Sequence, residues 1–195
     1  DVCSSDLPYL KNVGWKGFTD GKDSGVYMAT PLSRVNAADG MATPLAQEEY
    51  ERFYSTLGGK PVHQRLATHW ARLVELLYAA ERWVELASDP EASGPNFHTV
   101  PTETPTEGIG IVEAPRGTLT HHYTTDERGV LTKVNLIVGT TNNYAPISMS
   151  INKAARSLIK KGTIVTEPML NMVEMAFRAY DPCFGCATHA LPGQM

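Results

Sequence analysis

The chain has 195 residues, 42% of them hydrophobic and 19% charged, with a formal net charge of −4. That composition fits one globular domain or a large part of one, and its mild acidity gives no reason to expect nucleic-acid binding, which calls for a basic face. The sequence holds no run of about 18 apolar residues, so no membrane span is expected, and three cysteines suit a reducing cytoplasm better than a disulfide scaffold.

In chain order, residues 8–43 are rich in Gly, Asp and Asn and read as short extended pieces. A helix is predicted from Pro44, whose fixed φ suits a first turn, up to the break at Gly58-Gly59. A longer helix is predicted over 62–87, where Leu66, Trp70, Leu73, Leu77, Ala80 and Val84 recur at helical spacing. That stripe is assigned to the core, and His63 and His69 on the same helix to solvent or hydrogen bonds. Residues 88–107, with several Pro, Ser and Thr, read as a long loop. Three β-rich segments follow, 109–114, 118–125 and 131–138, with a turn at Asp126-Glu127-Arg128-Gly129. They read as a small antiparallel sheet. Arg116 falls in the first connection, where a rigid frame can aim a side chain. His121 and His122 fall on opposite faces of the second strand.

The last third is predicted helical over 145–161 and 167–180. Ile147, Ile151, Ala155 and Leu158 mark a buried face on the first helix, which Lys160-Lys161-Gly162 closes. Met169, Met172, Met175 and Phe177 on the second are assigned to the core. The fold class is therefore α+β, mostly helical, with one small sheet carrying the arginine loop against the C-terminal tail.

That tail reads Asp181-Pro182-Cys183-Phe184-Gly185-Cys186-Ala187-Thr188-His189. Two thiolates separated by two residues can face one soft metal, because the intervening turn folds back. The same spacing serves a redox pair or two ordinary buried thiols, and spacing alone leaves the three readings open. The helical stretch before Cys183 argues against a strand–CxxC–helix redox layout. A complete zinc site would need a second pair, and the other cysteine is Cys3.

The tail resembles the C-terminal signature of the nickel–iron hydrogenase large subunit. The segment Gly110-Ile111-Val112-Glu113-Ala114-Pro115-Arg116-Gly117-Thr118-Leu119-Thr120-His121-His122-Tyr123 is similar to that family's Glu-Ala-Pro-Arg-Gly-x-Leu-x-His motif. A looser match lies at Gly25 to Asn36, and the similarity runs from about Trp15 to His189. The resemblance implies a partial large-subunit fold that catalyses H2 ⇌ 2H+ + 2e−. It implies a nickel–iron centre with carbonyl and cyanide ligands on iron. Cys183 would be a terminal nickel thiolate and proton acceptor, and Cys186 would bridge the two metals. Arg116 would lie over the open face, oriented by Asp181, while Ala114, Pro115 and Thr140 would line the pocket for the iron's small ligands. His189 would hold a nearby magnesium ion.

These residue types suit the reaction. Dihydrogen is nonpolar and must be polarised between a metal and a base. Thiolates suit nickel and carry basic lone pairs. Arginine keeps its charge, and its fork can donate to a cyanide while pairing with a carboxylate.

The family uses four cysteines, and the other pair sits in an Arg-x-Cys-Gly-x-Cys segment that this sequence does not contain. Residues 1–7, Asp1-Val2-Cys3-Ser4-Ser5-Asp6-Leu7, are the in-frame translation of the sequencing-adapter string GACGTGTGCTCTTCCGATCT. They are read as an adapter artefact, and residues 8–189 as the C-terminal portion of a large subunit. In this family a maturation endopeptidase cleaves after the histidine, so 190–195 are read as the start of the cleavable extension.

The resemblance further implies that electrons pass to an iron–sulfur small subunit, and that the enzyme is cytoplasmic. The His-His-Tyr ending and Thr140-Thr141-Asn142-Asn143-Tyr144 look like the cytoplasmic branch that does not reduce deazaflavin. Cytoplasmic members pass electrons to a heterodisulfide-reductase-type partner, a deazaflavin or NAD, and the first is the acceptor expected here. The competing reading is a metal-free structural relative lining the quinone cavity of respiratory complex I. Retention of Cys183 and Cys186 argues against it.

Overall fold

The computed structural model describes residues 7–187 except Lys22 and Asn96. The expectations for residues 1–6, His189 and the 190–195 extension lie outside the described residues. The chain divides into two units: Pro31–Glu107 with Thr124–Thr132, and Asp1–Thr30 with Gly108–Tyr123 and Lys133–Met195.

The first of these, the helical unit, is built from α1 (Pro31–Ala37), α2 (Pro44–Leu57) and α3 (Ala67–Ala87). Helix α1 lies in a region predicted to be extended. Seven residues make only two turns, too few to show a period, yet Leu32 and Val35 are both buried. Helix α2 starts at Pro44 as expected and ends at Gly58, whose φ of +91° favours glycine. The Thr43 side chain does not cap its own helix. Instead Glu81 of α3 accepts hydrogen bonds from the Thr43 hydroxyl and from the Leu45 and Ala46 amides, at 2.7, 3.1 and 2.9 Å. Two of the amides left over at the start of α2 are thereby satisfied. Leu32, Val35, Tyr50, Phe53, Tyr54, Val62, Ala67, Ala71 and Val74 form the core of this unit.

Helix α3 corrects the sequence reading twice. It begins at Ala67 rather than 62. Val62 is instead pinned outside it, with its amide and carbonyl both bonded to the Asn36 side chain at 3.0 and 2.7 Å. The predicted core stripe holds only in part: Trp70 packs against the core, but Leu66, Leu73 and Val84 are 58%, 59% and 70% exposed. The helix carries apolar residues on two faces. Its neighbours α1 and α2 pack on the face of Ala67, Ala71 and Val74, where small side chains let backbones approach closely. His63 and His69 are exposed, as expected, although His63 precedes the helix. Arg34 of α1 holds Glu75 of α3 through two hydrogen bonds of 2.6 Å.

Strands β1 (Glu107–Ala114), β2 (Gly117–Thr125) and β3 (Leu131–Ile137) form the expected antiparallel sheet in the order β1-β2-β3. In the second unit a tight turn over Thr141–Asn143 leads into α4 (Tyr144–Leu158), against which α5 (Glu167–Arg178) packs. Helix α4 buries Ile147 and half-buries Ile151, Ala155 and Leu158, in line with its period. It stops three residues before Lys161, and Gly162 serves a following turn rather than the helix end. Helix α5 departs from expectation, with Met172 and Met175 exposed and Met169 and Phe177 half-buried. Its main packing partner is α4, and Phe177 also meets the Phe184 ring at 6.1 Å between centroids. No helix among the described residues is long and apolar enough to cross a membrane.

Candidate metal centre

Arg116 stands at the tip of the β1–β2 hairpin, in the two-residue connection Pro115-Arg116. The tip is closed by Gly117, at φ +149°. A Cβ on Gly117 would lie 2.6 Å from the Gly139 carbonyl oxygen and 2.7 Å from that of Ala29. Only glycine lets these three backbone segments meet. The Arg116 side chain reaches the tail: Nε donates to the Asp181 carbonyl at 2.7 Å and lies 3.1 Å from Asp181 Oδ2. Asp181 has φ +52°, in the left-handed region, and is the one non-glycine residue there among those described.

Two residues on, Cys183 opens the short helix α6 (Phe184–Ala187), and its carbonyl accepts from the Cys186 and Ala187 amides at 3.2 and 3.1 Å. This single turn brings the two cysteine side chains to the same side. Their Cα atoms are 5.4 Å apart and their sulfurs are joined as a disulfide at 2.34 Å. The Cys183 amide donates to Thr140 Oγ1 at 3.0 Å, and Tyr144 Oη donates to the Ala187 carbonyl at 2.8 Å. Cys183 is half-buried and Cys186 exposed, while Ala114 is half-buried and Pro115 exposed. The structure thus brings together Arg116, Asp181, Thr140, Cys183 and Cys186. Ala114 and Pro115 flank Arg116 along the chain.

In reduced form the cysteine pair offers two thiolates on one side of one turn, with a carboxylate and a guanidinium close by. That donor set fits half of a four-thiolate nickel–iron centre. Among the described residues no three His, Cys, Asp or Glu side chains converge as a metal site. His121 is bonded to Tyr123, Nδ1 to Oη at 2.6 Å, and both are half-buried.

The sequence reading marks the run 140–144 only for its family likeness and assigns a site role to Thr140 alone. Thr140, Thr141, Asn142 and Asn143 are all buried, at 2%, 1%, 5% and 1% exposure. Asn142 Nδ2 donates to the Thr118 carbonyl at 2.7 Å, and Asn142 Oδ1 accepts from Tyr27 Oη at 2.5 Å. Burial raises the Tyr27 pKa above the usual 10.0, so the phenol stays a donor. Apart from that likeness, the signal for a buried brace here is four consecutive polar residues followed directly by a helix.

The sequence matches the model of the family described as Nickel-dependent hydrogenase over residues 25–189. It is 51% identical over 188 residues to an F420-non-reducing hydrogenase iron-sulfur subunit from Archaeoglobus profundus, covering 96% of this chain and 38% of that protein. It is 43% identical over 191 residues to the NAD-reducing hydrogenase HoxS subunit beta of Cupriavidus necator, covering 97% of this chain and 38% of that protein. The crystal structure of an NAD+-reducing NiFe-hydrogenase in the H2-reduced state superposes with a TM-score of 0.81 at 37% identity. That superposition covers 93% of this chain and 38% of the other. The chain therefore spans under two fifths of the length of these relatives. With the arginine hairpin and the cysteine tail meeting as described, and the match running through both, the chain belongs to the nickel-dependent hydrogenase family.

Proposed function

We propose that this chain is the C-terminal part of the catalytic large subunit of a nickel–iron hydrogenase, which interconverts H2 with two protons and two electrons. The observation that carries this reading is the pairing of Arg116 with Asp181 two residues before the Cys183–Cys186 turn. Cys183 and Cys186 would hold the metal pair, with the remaining thiolates from the rest of the subunit, and His189 a magnesium ion. The centre, when bound, supplies the redox-active metals at which dihydrogen is split.

This chain's residues serve that event in distinct ways. The Cys183 sulfur accepts the proton on a lone pair. Thr140 fixes the Cys183 backbone through its amide, so the sulfur returns to one place after each turnover. The Arg116 guanidinium, oriented by Asp181, sets a fixed positive charge beside the reacting atoms, where charge develops. Ala114 and Pro115 offer aliphatic surface to the iron's carbonyl and cyanide ligands, and a proline nitrogen has no proton to donate to them. Electrons leave through an iron–sulfur small subunit to a heterodisulfide-reductase-type acceptor in the cytoplasm. An endopeptidase trims the tail after His189 once the metal is in place.

The test uses the assembled enzyme with its full-length large subunit. Nickel content measured by mass spectrometry should fall to background in Cys183→Ser. Hydrogen-dependent viologen reduction should fall about 10²-fold in Arg116→Lys at unchanged nickel content. A lysine variant that keeps full rate would remove the role given to Arg116.

A further inference from the structure

We propose that Asn143 is the positioning residue for Arg116, and that the Thr140–Asn143 turn is the common frame to which arginine and cysteine are both registered. This rests on the hydrogenase reading. The Asn143 amide is almost wholly buried and fully engaged: Oδ1 accepts from the Ala29 amide at 2.9 Å. Nδ2 donates to the Arg116 carbonyl at 2.8 Å and to the Ala29 carbonyl at 3.1 Å. A primary amide has two N–H donors and an acceptor oxygen, and each has a backbone partner here. Serine lacks the reach, aspartate lacks the donors, and glutamine would carry the amide one carbon too far.

The turn is internally rigid, since the Asn143 amide donates to the Thr140 carbonyl at 2.9 Å. Its first residue holds the Cys183 amide through Thr140 Oγ1, and its last holds the Arg116 carbonyl. The backbones that carry the guanidinium and the sulfur are thus both referenced to one short element, in addition to the direct contact of the Arg116 side chain with Asp181. The Arg116–Asp181 pair is about two-fifths exposed at both ends. Such a pair can orient the guanidinium, but it does not fix the backbone from which the side chain springs. The buried backbone anchor supplies the missing constraint, and a shift of about 1 Å at such a site can cost 10²-fold in rate.

The experiment is a double-mutant cycle between Asn143→Ala and Arg116→Lys in the assembled full-length enzyme, reading nickel content and kcat together. Asn143→Ala is expected to keep nickel near one per large subunit while kcat falls about 10- to 100-fold. In the Arg116→Lys background the same change should cost less than about 3-fold, because the group it positions is gone. Equal costs in both backgrounds, or full rate in Asn143→Ala, would overturn the positioning role. If Asn143→Ala loses nickel, Asn143→Ser is read the same way. Nickel and rate falling in proportion in both variants means that Asn143 serves folding alone, which also overturns it. A wild-type enzyme that holds no nickel overturns the hydrogenase reading itself, and the positioning role with it.

Discussion

The two units of this chain are organised by opposite means. In the helical unit, Phe53, Leu32, Val35 and Val74 meet at 0–1% exposure, and apolar burial holds α1, α2 and α3 together. In the other unit the most buried run is polar, Thr140 to Asn143, and its side chains grip the carbonyls of Ala29, Arg116 and Thr118. Apolar packing asks only for about the right volume and tolerates repacking. A buried hydrogen-bond network asks for particular donors at particular places, and it fails when one is removed. The candidate site residues Arg116 and Cys183 sit on the demanding kind of structure.

The comparison can be pressed from both sides. Phe53→Ala should cause the largest loss, about 3–5 kcal/mol of stability in denaturant unfolding, because Phe53 is fully buried between Tyr54 and Trp70. Material that still folds should keep its rate per nickel. Arg116→Lys should do the reverse, with its hundredfold rate loss and a denaturation midpoint within error of wild type, since its ion pair is half-exposed. A midpoint that fell sharply would show that the arginine holds the fold and blur the distinction.

Glu81→Gln should lower the melting temperature by about 2–4 °C. Partial desolvation pushes the Glu81 pKa up, but hydrogen bonds from Thr43, Leu45 and Ala46 outweigh it and hold the value below the ordinary 4.5. A lowered folded pKa means stabilisation that is present above pH 4.5 and lost as pH falls through the folded value. The gap between wild type and variant should therefore close in acid. Thr141→Val should have the smallest effect, within about 0.5 kcal/mol of neutral, because the buried Thr141 hydroxyl has no hydrogen-bond partner among the described residues.

The sequence exposed this fold unevenly, for reasons visible in particular elements. The strands were legible to within two residues at each end, since β-branched runs bounded by Pro115-Arg116 and Asp126–Gly129 leave few alternatives. The buried face of α3 was not. Periodicity finds an apolar face, and when a helix has two it does not say which one is covered. Helix α5 departed for a similar reason, Met172 and Met175 being apolar but exposed. Within the site, Arg116, Asp181 and the cysteines stood out because their chemistry is rare. Asn142 and Asn143 did not, because an asparagine that braces a carbonyl looks in sequence like one in an exposed turn.

The spans of these contacts order events in time. Asn143 meets Ala29 across 114 residues, and Arg116 meets Asp181 across 65. Closing such loops is slow compared with pairing neighbouring helices. The helical unit can collapse while the chain is still being synthesised, whereas the frame around Arg116 waits for Asn143, and the cysteine turn waits for both. The cysteine turn is thus placed after the other described elements. A ribosome-bound intermediate stalled before Asp181 would carry the Thr140–Asn143 frame with Arg116 still unpaired from the tail.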